Sequence, residues 1–271
     1  AIYNILIIPS SSVLAIGGSL KANAAIVYRE AQFYLVSVVA VLLVICLAVI
    51  YRPITPSGDA VQALQGTFSW QLALVLVALY GLYLFIQYEE VKDHRRRRAP
   101  DEKLAAREGI GVFREWARVL LTMAVIFVGV EILLRVAVWL GDALETPTFL
   151  WGLTVVAAAT SIPDTFISVR AAKLGRSESS ISNALGSNVF DLLIAVPAGV
   201  LLVGSISVDF TQIVPMMGFL ALATIVTLVF LRRDMRLSVR EAYVMTALYL
   251  GFGAWMALEA FGVTQILGLT T

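Results

Sequence analysis

The chain has 271 residues, of which 59% are hydrophobic and 14% charged, and its mean hydropathy is +0.87. Soluble domains average about 45–50% apolar and 25% charged residues, so the composition excludes a soluble protein and predicts an all-α integral membrane protein. The net charge of +1 says nothing about partners, and the single cysteine, Cys46, excludes an internal disulfide.

Eight apolar runs are long enough to span a bilayer as helices, which takes about 20 residues each. They are too continuous for the alternating strands of a barrel. In the fourth run, Glu131 and Arg135 have the i,i+4 spacing of a helical ion pair. The eight runs cover residues 2–20, 31–51, 68–88, 116–140, 149–169, 180–204, 210–231 and 242–261.

Basic residues are concentrated in every second loop between these runs. The third loop carries eight of them, whereas the fourth and sixth loops carry none. Cytoplasmic loops carry the excess of lysine and arginine in membrane proteins. We therefore expect a multi-pass protein of the cell membrane with cytoplasmic odd-numbered loops and with its C-terminus on the outer side.

The longest polar stretch, residues 89–111, includes His94 and four consecutive arginines. It is expected to lie against anionic headgroups, and its lack of aromatic residues argues against nucleic-acid binding. His94 is the only histidine, so a histidine metal site within the membrane is excluded. The stretch predicts three parts: residues 1–90 as the end of one membrane repeat, 91–112 as a basic cytoplasmic linker, and 113–271 as a complete repeat of five helices.

Residues 160–164, Thr-Ser-Ile-Pro-Asp, lie in the middle of the fifth run. A carboxylate at the bilayer centre costs about 2.5–3.5 kcal/mol on insertion scales. Pro163 has no N–H to donate, which frees the carbonyl of Ala159 and loosens its neighbour at Thr160. The segment predicts a broken helix with loose carbonyls, two hydroxyls and one carboxylate, the hard oxygen ligands that Ca²⁺ takes.

Residues 186–191, Gly-Ser-Asn-Val-Phe-Asp, lie inside the next apolar run. Ser187 and Asp191 are four residues apart and so share a helix face, with Asn188 beside them. Asp191, like Asp164, falls near the middle of its run. Two carboxylates at matched depth on consecutive helices indicate a cation site.

The start of the chain resembles this second segment. Residues 3–7, Tyr-Asn-Ile-Leu-Ile, align with residues 190–194, Phe-Asp-Leu-Leu-Ile, and a proline follows each within a few residues. Two further spans follow Asn4, and two follow Asp191. Repeats with an odd number of spans point in opposite directions, as in secondary transporters that bind ions at mid-membrane between the halves.

These residues resemble the sodium/calcium exchanger family of calcium:cation antiporters, of the prokaryotic type. That family carries, in each of two repeats, a Gly-Thr-Ser-x-Pro-Glu segment on a broken helix and a Gly-Ser-Asn-x-x-Asn/Asp segment on the next. Residues 159–164 and 186–191 match the pair of the second repeat, and Asn4 matches the end of the first. The resemblance implies an inverted-repeat fold of ten transmembrane helices, of which this chain covers the last eight.

The resemblance also implies ligand roles. Asp164 is the central carboxylate for Ca²⁺ and Na⁺, with Asp191 and Asn4 on either side of it. The Na⁺ sites are completed by the carbonyl of Thr160 and by oxygens of Ser161 and Ser187. The chain departs from the pattern in three ways: Ala159 replaces glycine, Asp164 replaces the longer glutamate, and the first Thr-Ser-x-Pro-Glu segment is absent. We therefore expect the chain to belong to a longer protein, or else to need a partner copy or not to transport.

The leading hypothesis is an antiporter, not an enzyme, that exchanges Ca²⁺ for Na⁺ by alternating access and needs no cofactor. Protons could replace Na⁺ because an aspartate is neutralised by either, and K⁺ co-transport is open. An intramembrane aspartyl protease also needs two membrane aspartates, but its Gly-x-Gly-Asp and Pro-Ala-Leu motifs are absent. A cation channel is a further alternative, although channels build symmetric rings from several subunits. Stoichiometry and oligomeric state remain open.

Overall fold

The computed structural model describes residues 1–54, 64–97, 112–144, 151–264 and 266. The described chain is mainly helical, with two single π-helical turns and four short strands. The helices are α1 Ile2–Ile16, α2 Ala24–Tyr51, α3 Trp70–Arg97, α4 Val112–Ala143, α5 Ala157–Thr160, α6 Ile162–Lys173, α7 Ser177–Phe190, α8 Val196–Val203, α9 Phe210–Asp234 and α10 Val239–Ala260. The π-turns are π1 Gly152–Val156 and π2 Asp191–Ala195, and the strands are β1 Leu20–Lys21, β2 Gln65–Ser69, β3 Ser205–Asp209 and β4 Arg236–Leu237.

All eight apolar runs are helical along most of their length, which confirms the all-α membrane prediction. Within the described ranges, five helical segments are long and apolar enough to cross a membrane: Tyr28–Tyr51, Trp70–Glu89, Trp116–Ala143, Ser177–Val203 and Phe210–Asp234. Helix α1 is also apolar but shorter. Of the predicted basic linker, residues 98–111 lie outside the described residues.

Helix ends follow local sequence signals. Helix α1 ends at Gly17, whose φ of 59° is left-handed and costs glycine little. Helix α10 begins three residues before its apolar run. A reciprocal capping box explains this start: the Ser238 hydroxyl accepts from the Glu241 N–H while the Glu241 carboxylate accepts from the Ser238 N–H.

The described residues form two compact units. The first combines Ala1–Tyr80 with Ser161–Thr271, and its α1 packs against α6, α7, α9 and α10. The second is Gly81–Thr160, in which α4 packs against π1 and α5. In this second unit, Arg135 Nε donates to Glu131 Oε1 across 2.9 Å, which confirms the predicted ion pair.

Two antiparallel ribbons in the first unit join loops that are distant in sequence. Strand β1 pairs with β4, with Leu20 opposite Leu237. Strand β2 pairs with β3, with Gly66 opposite Val208. The first ribbon joins the first and seventh predicted loops and the second joins the second and sixth. Each ribbon therefore joins loops that the alternating topology predicts on the same side of the membrane.

Strand β2 also lies directly against the end of α2. Thr67 N–H donates to the Arg52 carbonyl across 2.9 Å, and Ile54 N–H donates to the Gln65 carbonyl across 3.0 Å. A Cβ placed on Gly66 would lie 2.5 Å from the Cα of Val49. Only glycine permits this approach, so Gly66 fixes the ribbon to the helix.

The aligned segments at residues 3 and 190 have matching aromatic contacts. Tyr3 of α1 meets Tyr249 of α10 edge to face, with ring centroids 5.4 Å apart. Phe190 of α7 meets Tyr80 of α3 in the same way at 5.9 Å. In both pairs an aromatic residue next to Asn4 or Asp191 contacts a tyrosine from the last helix of the other predicted repeat. The internal repeat itself stays a prediction.

Candidate cation site

The fifth apolar run is broken where the sequence predicts. Helix α5 ends at Thr160, Ser161 has non-ideal angles of φ −92° and ψ −4°, and α6 begins with Pro163 in its first turn. Asp164 is the acid of that first turn, where the positive end of the helix dipole favours negative charge. Asp164 is partly exposed, whereas Ser161 is buried.

Thr160 belongs to the second unit. Its hydroxyl lies 3.0 Å from the Val156 carbonyl and 3.1 Å from the Ala157 carbonyl, so it bonds to its own helix. This bond uses only the hydroxyl hydrogen, so the hydroxyl oxygen keeps lone pairs that can accept, as the main-chain carbonyl oxygen does. The ligand role of the Thr160 carbonyl stays a prediction.

Three of the predicted ligands meet directly in the first unit. Asn4 Nδ2 donates to Asp191 Oδ2 across 3.0 Å and lies 3.4 Å from Ser187 Oγ. The Ser187 hydroxyl donates to the Ala184 carbonyl across 3.2 Å. Asn4 is 1% exposed, and its Oδ1 has no hydrogen-bond partner in the described part of the chain. Asn4 thus orders two of the predicted oxygen ligands, and its own Oδ1 has no hydrogen-bond partner among the described residues.

Asp191 lies at a change of helix type. Helix α7 ends at Phe190, and π2 begins at Asp191. The Val196 N–H donates to the Asp191 carbonyl, five residues back, and Pro197 follows in the first turn of α8. Single π-turns of this kind are frequent at functional sites because they redirect the side chains around them.

Asn188 lies beside Ser187 but is not among the predicted ligands. Its side chain is fully buried, and neither its Oδ1 nor its Nδ2 has a hydrogen-bond partner among the described residues. A buried polar group left unbonded costs about 1–3 kcal/mol. The sequence signal for Asn188 is its position in the Gly-Ser-Asn segment.

Tyr3 is a second residue of this region that lies outside the predicted ligand set. Its hydroxyl lies 3.3 Å from Thr165 Oγ1, and Thr165 Oγ1 also lies 3.0 Å from the Ser161 carbonyl. Tyr3 therefore contacts α6 beside Asp164, while its neighbour Asn4 contacts α7. The two adjacent residues of α1 thus contact α6 beside Asp164 on one side and Ser187 of α7 with Asp191 of π2 on the other.

The chemistry of the region is that of mixed oxygen ligands. Within the described ranges, no group of three or more histidine, cysteine, aspartate or glutamate side chains gathers at one point. Cation binding here would draw on amide, hydroxyl and carbonyl oxygens beside the carboxylates. Ca²⁺ and other hard cations accept such ligands.

A helical membrane protein with a broken helix and a cluster of oxygen-bearing side chains is typical of secondary transporters. The sequence profile of the family described as "Sodium/calcium exchanger protein" matches residues 115–258, more than half of the chain. The chain belongs to this family, as its motifs predict. The family consists of exchangers, so the protein is not an enzyme and the protease alternative is excluded.

Curated relatives match parts of the chain. Human sodium/potassium/calcium exchanger 5 is 48% identical over 62 residues, which is 21% of this chain and 12% of that protein. Rat sodium/potassium/calcium exchanger 3 is 25% identical over 146 residues, which is 53% of this chain and 19% of that protein. The matches therefore span only a small part of these relatives.

The fold resembles a solved transporter. The sodium-calcium exchanger NCX_Mj, soaked with 100 mM Na⁺ and 10 mM Sr²⁺, superposes with a TM-score of 0.60 and 20% sequence identity. The superposition covers 93% of this chain and 72% of NCX_Mj. It shows that the chain has the exchanger fold.

Proposed function

We propose that the protein is an antiporter that exchanges Ca²⁺ for Na⁺ across a membrane by alternating access. The observation that carries the proposal is the contact of Asn4 with Asp191 and Ser187. It gathers three oxygen-bearing side chains from two helices of an exchanger fold. Family membership and the fold support the same conclusion.

In this proposal Asp164 and Asp191 supply the negative charge. One Ca²⁺ or several Na⁺ neutralise them in turn, and this shared use of the charge couples the two fluxes. Ser161, Ser187 and Asn4 supply neutral oxygens, and Thr160 supplies its carbonyl. The basic odd-numbered loops face the cytoplasm.

We include K⁺ as a candidate co-substrate. The human and rat relatives are named sodium/potassium/calcium exchangers. Protons remain the alternative driving ion. The roles of K⁺ and of protons are separated by measuring calcium uptake with and without K⁺, and with a pH gradient in place of the Na⁺ gradient.

The test uses the natural protein, purified from its own membrane and reconstituted into vesicles. Its intact mass is measured first, because the 29.4 kDa chain matches only part of its relatives. We expect an outward Na⁺ gradient to drive uptake of radioactive Ca²⁺, with K⁺ present or absent as one variable and a pH gradient without Na⁺ as another. Uptake that persists without any counter-ion would indicate a channel and contradict the proposal.

Two substitutions make the test specific to the site. Asp164→Asn removes the proposed charge at constant shape and is expected to abolish exchange. Glu178→Gln makes the same chemical change at an exposed position in the first turn of α7 and is expected to leave exchange intact. Equal loss in both variants would contradict a specific role for Asp164.

A further inference from the structure

A network of hydrogen bonds among three buried serines and the half-buried Asn183 connects α1, α6 and α7 outside the proposed ligand set. Asn183 Nδ2 lies 2.9 Å from Ser168 Oγ and 3.3 Å from the backbone carbonyl oxygen of Asp164. The Ser168 hydroxyl donates to the Ser180 carbonyl across 3.3 Å. The Ser180 hydroxyl donates to Ser12 Oγ across 3.1 Å.

Every side-chain N–H and O–H hydrogen in this network has one acceptor. The two amide hydrogens of Asn183 have two acceptors, and each serine hydroxyl donates once, with Ser12 donating to the Ile8 carbonyl across 3.0 Å. The three serines are 0% exposed. Asn183 is half-buried. A network whose donors are all bonded and whose serines are buried holds its members in place, because each bond would be costly to leave unmade.

Asn183 stands at a specific place on α7. Residues 183, 187 and 191 are four apart, so Asn183 shares one side of the helix axis with Ser187 and Asp191. Its amide reaches across to the backbone of Asp164 in the first turn of α6. The Asn183 side chain therefore joins α7, which carries the proposed ligand Ser187 and leads into Asp191, to a further proposed ligand, Asp164.

We propose that Asn183 is a positioning residue for the cation site. By holding the Asp164 carbonyl, it fixes the first turn of α6 against α7 and so sets the Asp164 carboxylate relative to Ser187 and Asp191. The inference deepens the proposed exchange function and rests on it. If Asn183 served packing alone, its loss would change the amount of folded protein and leave ion affinity unchanged.

The test compares Vmax per folded protein and the apparent KM for Ca²⁺ in reconstituted natural protein. Asn183→Ala is expected to raise KM roughly three- to tenfold, because a hydrogen bond that orders a ligand is lost, while Vmax changes little. Asn183→Gln retains both N–H donors and is expected to recover part of the affinity.

Ser180→Ala is the matched control. It removes the bond to Ser12 and leaves the backbone carbonyl that accepts from Ser168, so the contact with Asp164 is untouched. Its KM is expected to equal that of the wild type. If Asn183→Ala is not recovered folded, Ser168→Ala removes one of the two acceptors and is expected to raise KM by a smaller factor.

The outcomes separate the two proposals. Wild-type protein that exchanges Ca²⁺, together with an Asn183→Ala or Ser168→Ala variant of unchanged KM, overturns the positioning role alone. An equal rise of KM in Ser180→Ala also overturns it, because general loosening would then explain the effect. Wild-type protein that exchanges no Ca²⁺ overturns the proposed function and, with it, the positioning role.

Discussion

Asn4 of α1 donates to Asp191, the first residue of π2, across 3.0 Å, although 187 positions separate them. The two residues occupy equivalent places in the predicted internal repeat. Equivalent positions that contact each other must lie beside the axis relating the repeats, just as residues at a two-fold interface meet their own counterparts. The predicted repeat therefore places one amide and one carboxylate beside its axis.

The first prediction concerns a swap of the two side chains, with aspartate at position 4 and asparagine at position 191. Asn4→Asp alone would set two carboxylates at hydrogen-bond distance, where both cannot easily be ionised. Asp191→Asn alone would remove the charge. We expect each single variant to lose most Ca²⁺ exchange, and the double variant Asn4→Asp/Asp191→Asn to recover part of it, because one amide and one carboxylate remain at the axis.

Initial rates of calcium uptake in reconstituted vesicles measure this recovery. Protein amount in the vesicles serves as the control, so that rates are compared per folded molecule. A double variant no more active than either single variant would contradict the equivalence of the two positions.

The second prediction concerns Gly66. Gly66→Ala is expected to lower stability by about 1–3 kcal/mol or more, the range for overpacking, because the new methyl group meets the α2 backbone. Gly218→Ala is the matched control, since a Cβ on Gly218 in α9 meets nothing within 4 Å. Thermal unfolding in detergent should show a lower Tm for the first variant and no loss for the second.

The sequence predicts the parts of the site that depend on local rules. Pro163 within an apolar run predicts the broken helix, and the i,i+4 spacing places Ser187 beside Asp191. The alignment of Asn4 with Asp191 identifies a third side chain in the same cluster. These contacts can be predicted because proline positions, helix periodicity and similar segments can be read directly from the amino-acid sequence.

Other features depend on pairings that no local rule specifies. Strands β2 and β3 are five residues each and pair across more than 130 positions, so their loops carry no signal of the partner. The π-turn at Asp191 lies in a run that looks continuous. The Asn183 network joins residues from three helices, and each of its members alone resembles an ordinary small polar residue.

The third prediction concerns the pH dependence of the β2–β3 ribbon. Partial burial acts to raise the pKa of Asp209, but hydrogen bonds from Thr211 and Gln65 outweigh it and hold the pKa below its ordinary value of 3.8. A carboxyl group whose pKa is depressed on folding stabilises the fold above its ordinary pKa, and this contribution is lost as pH falls through the folded-state value.

Asp209→Asn tests this contribution, because asparagine still caps α9 but carries no charge. We expect the variant to have a lower Tm than the wild type at neutral pH and the gap to close as the pH falls below 3.8. A gap that stays constant from neutral to acidic pH would show that the charge of Asp209 is not its cause.

The fourth prediction concerns Asn188, whose fully buried amide has no hydrogen-bond partner among the described residues. Leucine has a similar size and no polar atoms, so Asn188→Leu should remove an unmet desolvation penalty of about 1–3 kcal/mol. We expect a higher Tm together with weaker Ca²⁺ exchange, the combination typical of a residue retained for function at the expense of stability. Thr246→Val is the matched control, since the Thr246 hydroxyl already bonds the Ala242 carbonyl across 2.9 Å. It should show neither effect, and an Asn188→Leu variant that is less stable and equally active would assign Asn188 to packing.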